Sequence, residues 1–256
     1  MKKDYVLFID SGIGGLTTLA ESVKLLKANY IYYADNNNAP YGNHTKSEIF
    51  SYLKNIISSL LNKYNIKIIV LACNTATTSA ITKLRISFKE IVFIGIEPAV
   101  KLANKLGFDE IFCVVTPTTK KQKKFKTLTN IISSKTLLYS PKMLALRVEN
   151  YYTNKTVANF YNLIKEIYLL AHESKNIPCI VLGCTHYVFV KEYLNKLTHK
   201  TIIDGNLGVS KQVQSVYEKL NLSPAHKSTI IFFVSNPAIC SKEIYKKIFT
   251  EILAKV

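Results

Sequence analysis

Short apolar runs rich in Ile, Val, Phe and Tyr alternate along the chain with longer segments whose apolar positions recur about every three to four residues. The short runs fall at residues 5–9, 30–34, 66–71, 91–94, 110–115, 136–139, 177–182, 201–204 and 228–234. Their length and β-branched content predict strands, several of them buried on both faces. The longer segments predict helices at 45–64, from Thr77 onward, and at 144–150, 157–171, 188–197, 207–220 and 237–254. Thr45-Lys46-Ser47-Glu48 is a capping box that opens the first of these. Between strand and helix, Asp35-Asn36-Asn37-Asn38-Ala39-Pro40-Tyr41-Gly42 is so rich in turn formers that it reads as a loop.

Alternation of strand and helix from end to end predicts an α/β protein built from two doubly wound, mainly parallel-sheet domains. The turn Gly95-Ile96-Glu97-Pro98 is the best boundary. It gives a first domain of residues 1–95 plus 209–256, completed by the last strand and helix, and a second of residues 96–208.

One heptapeptide pattern occurs twice: Ile69-Val70-Leu71-Ala72-Cys73-Asn74-Thr75 and Ile180-Val181-Leu182-Gly183-Cys184-Thr185-His186. Each copy is an apolar run, a small residue, a cysteine and two hydrogen-bonding residues. The copies lie about one small domain apart and suggest pseudo-symmetry between the two domains. Each cysteine is thereby placed at the carboxyl end of a strand on the turn into a helix, where open α/β sheets bind ligands and where a helix N-terminus favours a thiolate. Single free cysteines are often inert core residues; two matched copies argue against that here. The polar turns at Asp10, Asp35, Cys73, Thr116 and Cys184 all follow predicted strands, so they are expected to share one active site in the cleft between the domains.

Composition narrows the reading. A net charge of +17 would suit a polyanion, yet of 34 basic residues only Arg85 and Arg147 are arginine, the usual residue for bidentate phosphate and base recognition. The lysines are scattered apart from Lys120, Lys121, Lys123, Lys124 and Lys126. The charge therefore reads as a solvated surface that draws anionic substrates, and nucleic acid is not an expected partner. Five cysteines, an odd number, and no CxxC or HxxxH pair argue against a disulfide framework and a metal site. No apolar run is long enough to span a membrane, and the stretch at 5–9 ends at Asp10, too short for a signal peptide. A cytoplasmic location follows as the expectation.

The first strand leads into Asp10-Ser11-Gly12-Ile13-Gly14-Gly15, a Gly-rich turn that is neither a dinucleotide fingerprint nor a P-loop. Its free N–H groups suit an anion, and Pro40-Tyr41-Gly42 can offer backbone donors to a carboxylate. Two thiols in one site fit chemistry that needs matched acid/base groups on opposite faces of a small molecule. A racemase is the simplest case: one group removes a proton, the other returns one to the opposite face, and the reverse reaction swaps their roles. Asp10 and His186 are candidates to set the two thiols' protonation, although Asp10 could equally cap a helix and His186 lie on a helix surface. No pyridoxal-binding pattern is evident. The alternatives are an isomerase of aspartate or a related diacid, and a non-catalytic module that binds a small acid.

In this light the chain resembles the glutamate racemase family. The matching stretches are Phe8-Ile-Asp-Ser-Gly-Ile-Gly-Gly-Leu16, Pro40-Tyr-Gly42, Ala72-Cys-Asn-Thr75, Ile96-Glu-Pro-Ala-Val-Lys101 and Leu182-Gly-Cys-Thr-His-Tyr187, in the family's order. The resemblance implies cofactor-independent interconversion of L- and D-glutamate for peptidoglycan synthesis by a homodimer. It implies that Cys73 works on D-glutamate and Cys184 on L-glutamate, assisted by Asp10 and His186. It further implies substrate binding by Ser11, Pro40, Tyr41, Gly42, Asn74, Thr75 and Thr185, and by Thr116 and Thr119 at the positions of the family's Gly-Thr-x-Gly-Thr. There are three departures. Asn38 stands where the family usually has arginine, and Val188 where a proline often follows. The family also places a glutamate seven residues after a proline. Counted from Pro141, that position is Val148 and Glu149 follows it, so an assisting role for Glu149 does not follow from the spacing.

Overall fold

A computed structural model describes residues 3–121, 123–223 and 225–255, with the backbone alone at 123, 124, 126 and 128. The side chains of Lys123, Lys124 and Lys126 in the basic cluster thus lie outside the described ones. The chain forms two compact units: residues up to Ile96 together with those from Asn206 onward, and Glu97–Gly205.

The first unit opens with β1 (Asp4–Asp10), α1 (Leu16–Leu25), β2 (Asn29–Ala34), α2 (Lys46–Leu61), β3 (Asn65–Leu71), α3 (Asn74–Ser87) and β4 (Val92–Gly95). The second contains α4 (Val100–Lys105), β5 (Glu110–Val115), α5 (Pro117–Lys121), α6 (Lys123–Asn130), β6 (Lys135–Tyr139), α7 (Leu144–Thr153), α8 (Val157–Glu173), β7 (Cys179–Gly183), α9 (Lys191–Thr198) and β8 (Thr201–Ile203). The chain then returns to the first unit with α10 (Asn206–Lys219), β9 (Thr229–Val234) and α11 (Lys242–Lys255).

The first sheet has the order β4-β3-β1-β2-β9 and the second β6-β5-β7-β8. All pairings among them are parallel, so the expected α/β class with parallel sheets holds. The inner strands carry continuous apolar runs because helices cover both faces. Phe8, Ile69 and Val181 are fully buried. The last strand pairs with β2 from Asn29↔Thr229 to Ala34↔Val234 and so extends the first sheet. The side of that sheet under α2 and α3 gathers Leu7, Ile9, Leu53, Ile57, Ile69 and Leu84 into one apolar cluster.

Local signals act where they were read. The Thr45 hydroxyl accepts the Glu48 N–H while the Glu48 carboxylate accepts the Thr45 N–H, and α2 begins at the next residue, Lys46.

Three expectations are corrected. The helix expected from Thr77 begins already at Asn74, directly after Cys73. In place of a helix over 188–197, a 3-10 turn runs Thr185–Val190 and α9 follows. Thr185, His186, Tyr187, Phe189 and Val190 are all buried there, which leaves no solvent face for an amphipathic α-helix, and the tighter turn brings Tyr187 and Val190 onto one side. The last helix starts at Lys242 instead of 237, because the segment before it folds onto Asn36. The Asn36 amide donates to the Asn236 carbonyl at 2.9 Å and accepts the Asn236 N–H at 2.8 Å.

Candidate active site

The site residues of the first unit stand at the carboxyl ends of three neighbouring strands. β1 pairs with β2 through Asp10↔Ala34 and with β3 through Ile9↔Leu71. Asp10, Asp35 and Cys73 therefore lie side by side just where the sheet ends. Cys73 keeps extended backbone angles in the position before α3, and its carbonyl accepts the Thr77 N–H at 2.9 Å. The strand thus turns into helix without an intervening loop, and the thiol sits at the positive end of a helix dipole.

Close packing explains the small residues around this turn. A Cβ on Gly15 would stand 2.8 Å from the Asp10 Cβ and 2.9 Å from the Ala72 Cβ, so glycine lets the start of α1 settle on the ends of β1 and β3. The Asp10 carboxylate accepts the Gly12 N–H at 2.8 Å, and the Tyr32 hydroxyl donates to the Gly12 carbonyl at 2.7 Å. Asp10 is fully buried, with Ser11, Asn74 and Thr75 close to it in burial. Asn74 donates its amide to the Ile96 carbonyl, while its Oδ1 is buried with no hydrogen-bond partner among the described residues. A buried orphan acceptor costs about 1–3 kcal/mol, so this oxygen suits a ligand donor. In the loop after β2, Pro40 and Gly42 are exposed and Tyr41 is buried between them.

The second unit repeats the arrangement. Val115 of β5 pairs with Gly183 of β7, which sets Thr116 and Cys184 on adjacent strand ends. Gly183 occupies the place of Ala72, and a Cβ there would lie 2.7 Å from the Val115 side chain. Thr116 accepts the Thr119 N–H at 3.2 Å and donates its hydroxyl to that of Thr119 at 3.0 Å. Cys184 has extended angles ahead of the 3-10 turn; Thr185 and His186 follow it, both buried.

His186 Nε2 stands 2.7 Å from the Glu149 carboxylate on α7. Glu149, one residue beyond the position that the family's spacing gives, is the residue that reaches the histidine. Burial works against the imidazolium, but hydrogen bonds to Cys184 and Glu149 and the negative charge of both outweigh it and hold the ring's pKa well above its ordinary value. Sequence reasoning could have found Glu149 from helix period. Leu144 and Val148 are the buried face of α7, and the next residue lies roughly 100° round, at that face's edge.

The other cysteines behave differently. Cys113 and Cys179 are fully buried in β5 and β7; burial pushes the Cys113 thiol far up and that of Cys179 to about 11. They are core residues, inert as nucleophiles or bases near neutral pH. The structure thus assembles Asp10, Ser11, Tyr41, Cys73, Asn74 and Thr75 in one unit. Thr116, Thr119, Cys184, Thr185 and His186 come together in the other. Each group combines a thiol with short polar side chains and helix-start N–H groups, which suits proton transfer beside a carboxylate.

No family model matches the chain. A glutamate racemase of Clostridium botulinum (strain Alaska E43 / Type E3) is 38% identical over 250 residues, 94% of this chain and 95% of that relative. One from Clostridium novyi (strain NT) is 39% identical over 237 residues, 88% of this chain and 89% of that relative. The crystal structure of Escherichia coli glutamate racemase, in complex with L-glutamate and the activator UDP-MurNAc-Ala, shares the fold: TM-score 0.80 at 23% identity, covering 98% of this chain and 95% of that one. With sequence relatives this similar over nearly its whole length, the chain belongs to the glutamate racemase family of amino-acid racemases.

Proposed function

We propose that the protein interconverts L- and D-glutamate without a cofactor, with Cys73 and Cys184 as the two bases. The observation that carries this reading is the repetition of one local construction: a thiol at the end of a parallel strand, at the start of a helical turn, beside a buried proton-handling group. In one direction the Cys73 thiolate takes the Cα proton of D-glutamate as the C–H bond breaks, and the Cys184 thiol gives its proton to the opposite face. The product is L-glutamate, and the enzyme is left with a Cys73 thiol and a Cys184 thiolate. The reverse reaction restores the starting state, so no external acid or base is consumed.

Within this reading Asp10 serves Cys73, and His186, held by Glu149, serves Cys184. Ser11, Asn74, Thr75, Thr116, Thr119, Thr185 and the backbone of the Pro40-Tyr41-Gly42 loop hold the amino and carboxylate groups. The unpartnered Asn74 Oδ1 is an acceptor for the substrate ammonium. The reading extends to a homodimer that supplies D-glutamate for peptidoglycan from the cytoplasm. It is compatible with there being, among the described residues, no helix long and apolar enough to cross a membrane.

The test is purified protein with D-glutamate in heavy water, with no cofactor added, followed by circular dichroism and then by deuterium content at Cα. Decay of the optical signal with full Cα deuteration is expected. A requirement for an added cofactor, or faster turnover of aspartate, would overturn the proposal. The Cys73→Ser and Cys184→Ser variants should each lose about 10²–10⁴-fold in racemisation.

A further inference from the structure

Asp35 directly follows β2 as a carboxylate that is 1% exposed, and no basic side chain among the described residues pairs with it. Its partners are neutral. The Tyr41 hydroxyl donates to Oδ2 at 2.8 Å, and the Asn38 amide reaches both carboxylate oxygens at 3.1 Å. On the backbone side, the Asp35 N–H donates to the Asp10 carbonyl at 2.8 Å. A charge buried without a counter-ion is expensive to keep, and full hydrogen bonding by neutral donors is the way to hold one. Such an anion fixes its donors firmly, because charge-assisted hydrogen bonds are shorter and stronger than neutral ones.

The donors held in this way matter. Tyr41 belongs to the apolar cluster that also contains Cys73. Burial first, then the Asp35 charge and hydrogen bond, keep its phenol protonated, with the charges of Cys73 and Asp10 adding to the effect. The phenol is therefore a permanent donor to Asp35. The rest of the loop is clamped from the other side: the Ser235 hydroxyl accepts the Asn37 N–H at 2.9 Å, and Asn36 exchanges hydrogen bonds with Asn236.

We infer that Asp35 is a positioning residue for the Cys73 half of the reaction: its carboxylate, through the Tyr41 hydroxyl and the Asn38 amide, seats the Tyr41 ring beside Cys73 and holds the Pro40-Tyr41-Gly42 segment in place. In this role Asp35 acts through Tyr41 and Asn38 and is not itself a catalytic group. The inference rests on the reading of Cys73 as the base for D-glutamate.

The test is the primary isotope effect on kcat/KM with each enantiomer of α-deuterated glutamate, for wild type, Asp35→Asn and Tyr41→Phe. Asparagine keeps the shape but sets an amide N–H₂ against a donor, and phenylalanine removes only the hydroxyl. Mispositioning that slows the Cys73 step makes this step more rate-limiting. The isotope effect then rises with D-glutamate, falls toward one with L-glutamate, and kcat/KM drops about 10- to 100-fold. Tyr41→Phe should move both isotope effects the same way, and the double variant should be no worse than Asp35→Asn, since both act through one contact. Should Asp35→Asn fail to fold, Tyr41→Phe decides alone.

Unchanged isotope effects in folded variants, whatever happens to kcat/KM or melting, overturn the inference. Cys73→Ser separates the two levels. If this variant still racemises, the base assignment has failed; if it is inactive while the isotope effects stay symmetric, the positioning role alone has failed.

Discussion

Glu149 and His186 are joined by a 2.7 Å contact between the middle of α7 and the turn that follows Cys184. Thirty-odd residues of chain separate them, and the glutamate is one position away from where the family's spacing would put it. Together with Cys184, which contributes the larger hydrogen bond, Glu149 favours the protonated histidine against the opposing effect of burial.

Replacing Glu149 by Gln removes both the charge and the anionic acceptor that favour the imidazolium, while burial continues to oppose it. The His186 pKa should fall, as read by NMR titration of its ring, and racemisation should drop roughly 10- to 100-fold, at the lower end of what acid–base groups contribute. The sign for stability follows from linkage. A folded pKa raised above the unfolded value of about 6.5 stabilises fully below that pH, and the stabilisation is lost as pH rises through the folded value. The Glu149→Gln protein should therefore lag wild type in urea midpoint most in mildly acidic buffer, and the gap should close in alkali.

Cys73 and Cys184 each retain 8% exposure, whereas Cys113 and Cys179 have none and their thiols are pushed up by burial. Alkylation of the native protein near pH 8, followed by peptide mass spectrometry, should label the first two well before the second two. Glutamate should slow labelling at Cys73 and Cys184. Early modification of Cys113 would contradict the placement of β5 in the core.

Gly15→Ala places a methyl group within 3 Å of both the Asp10 and Ala72 Cβ atoms. Neither neighbour is the free end of a flexible chain, so the start of α1 must move. A loss of about 1–3 kcal/mol, typical of overpacking, is expected in chemical denaturation. Because the displaced group is Asp10, kcat/KM should fall by more than the stability change alone would produce.

Thr45→Ala removes the hydroxyl that caps α2 and leaves the Glu48 N–H without its acceptor. The expected cost is about 1 kcal/mol in the denaturation midpoint. Thr45 belongs to neither thiol's surroundings, so kcat/KM at 25 °C should stay at the wild-type value. A large activity loss would mean that the start of α2 couples to the Tyr41 loop a few residues before it.

Much of this protein was legible in its residues. Continuous apolar runs announced inner parallel strands at 66–71 and 110–115, because only a strand covered on both faces tolerates them. The Thr45–Glu48 box marked a helix start to the residue, because its hydrogen bonds close within four residues. The repeated cysteine heptapeptide put each thiol on a strand-to-helix turn, where the structure has it.

Other features were decided by tertiary packing. The last strand lies beside β2, the Asn36 amide draws residues 236–241 into a turn and delays α11, and Asp35 gathers Tyr41 and Asn38 around a buried charge. Glu149 reaches His186 because α7 is rotated by the burial of Leu144 and Val148. Local propensity and capping are set by neighbours in sequence and can be read from them. Which polar atoms meet across long loops depends instead on how helices seat on a sheet, and this chain settles that through side-chain volume and the need to pair every buried polar group.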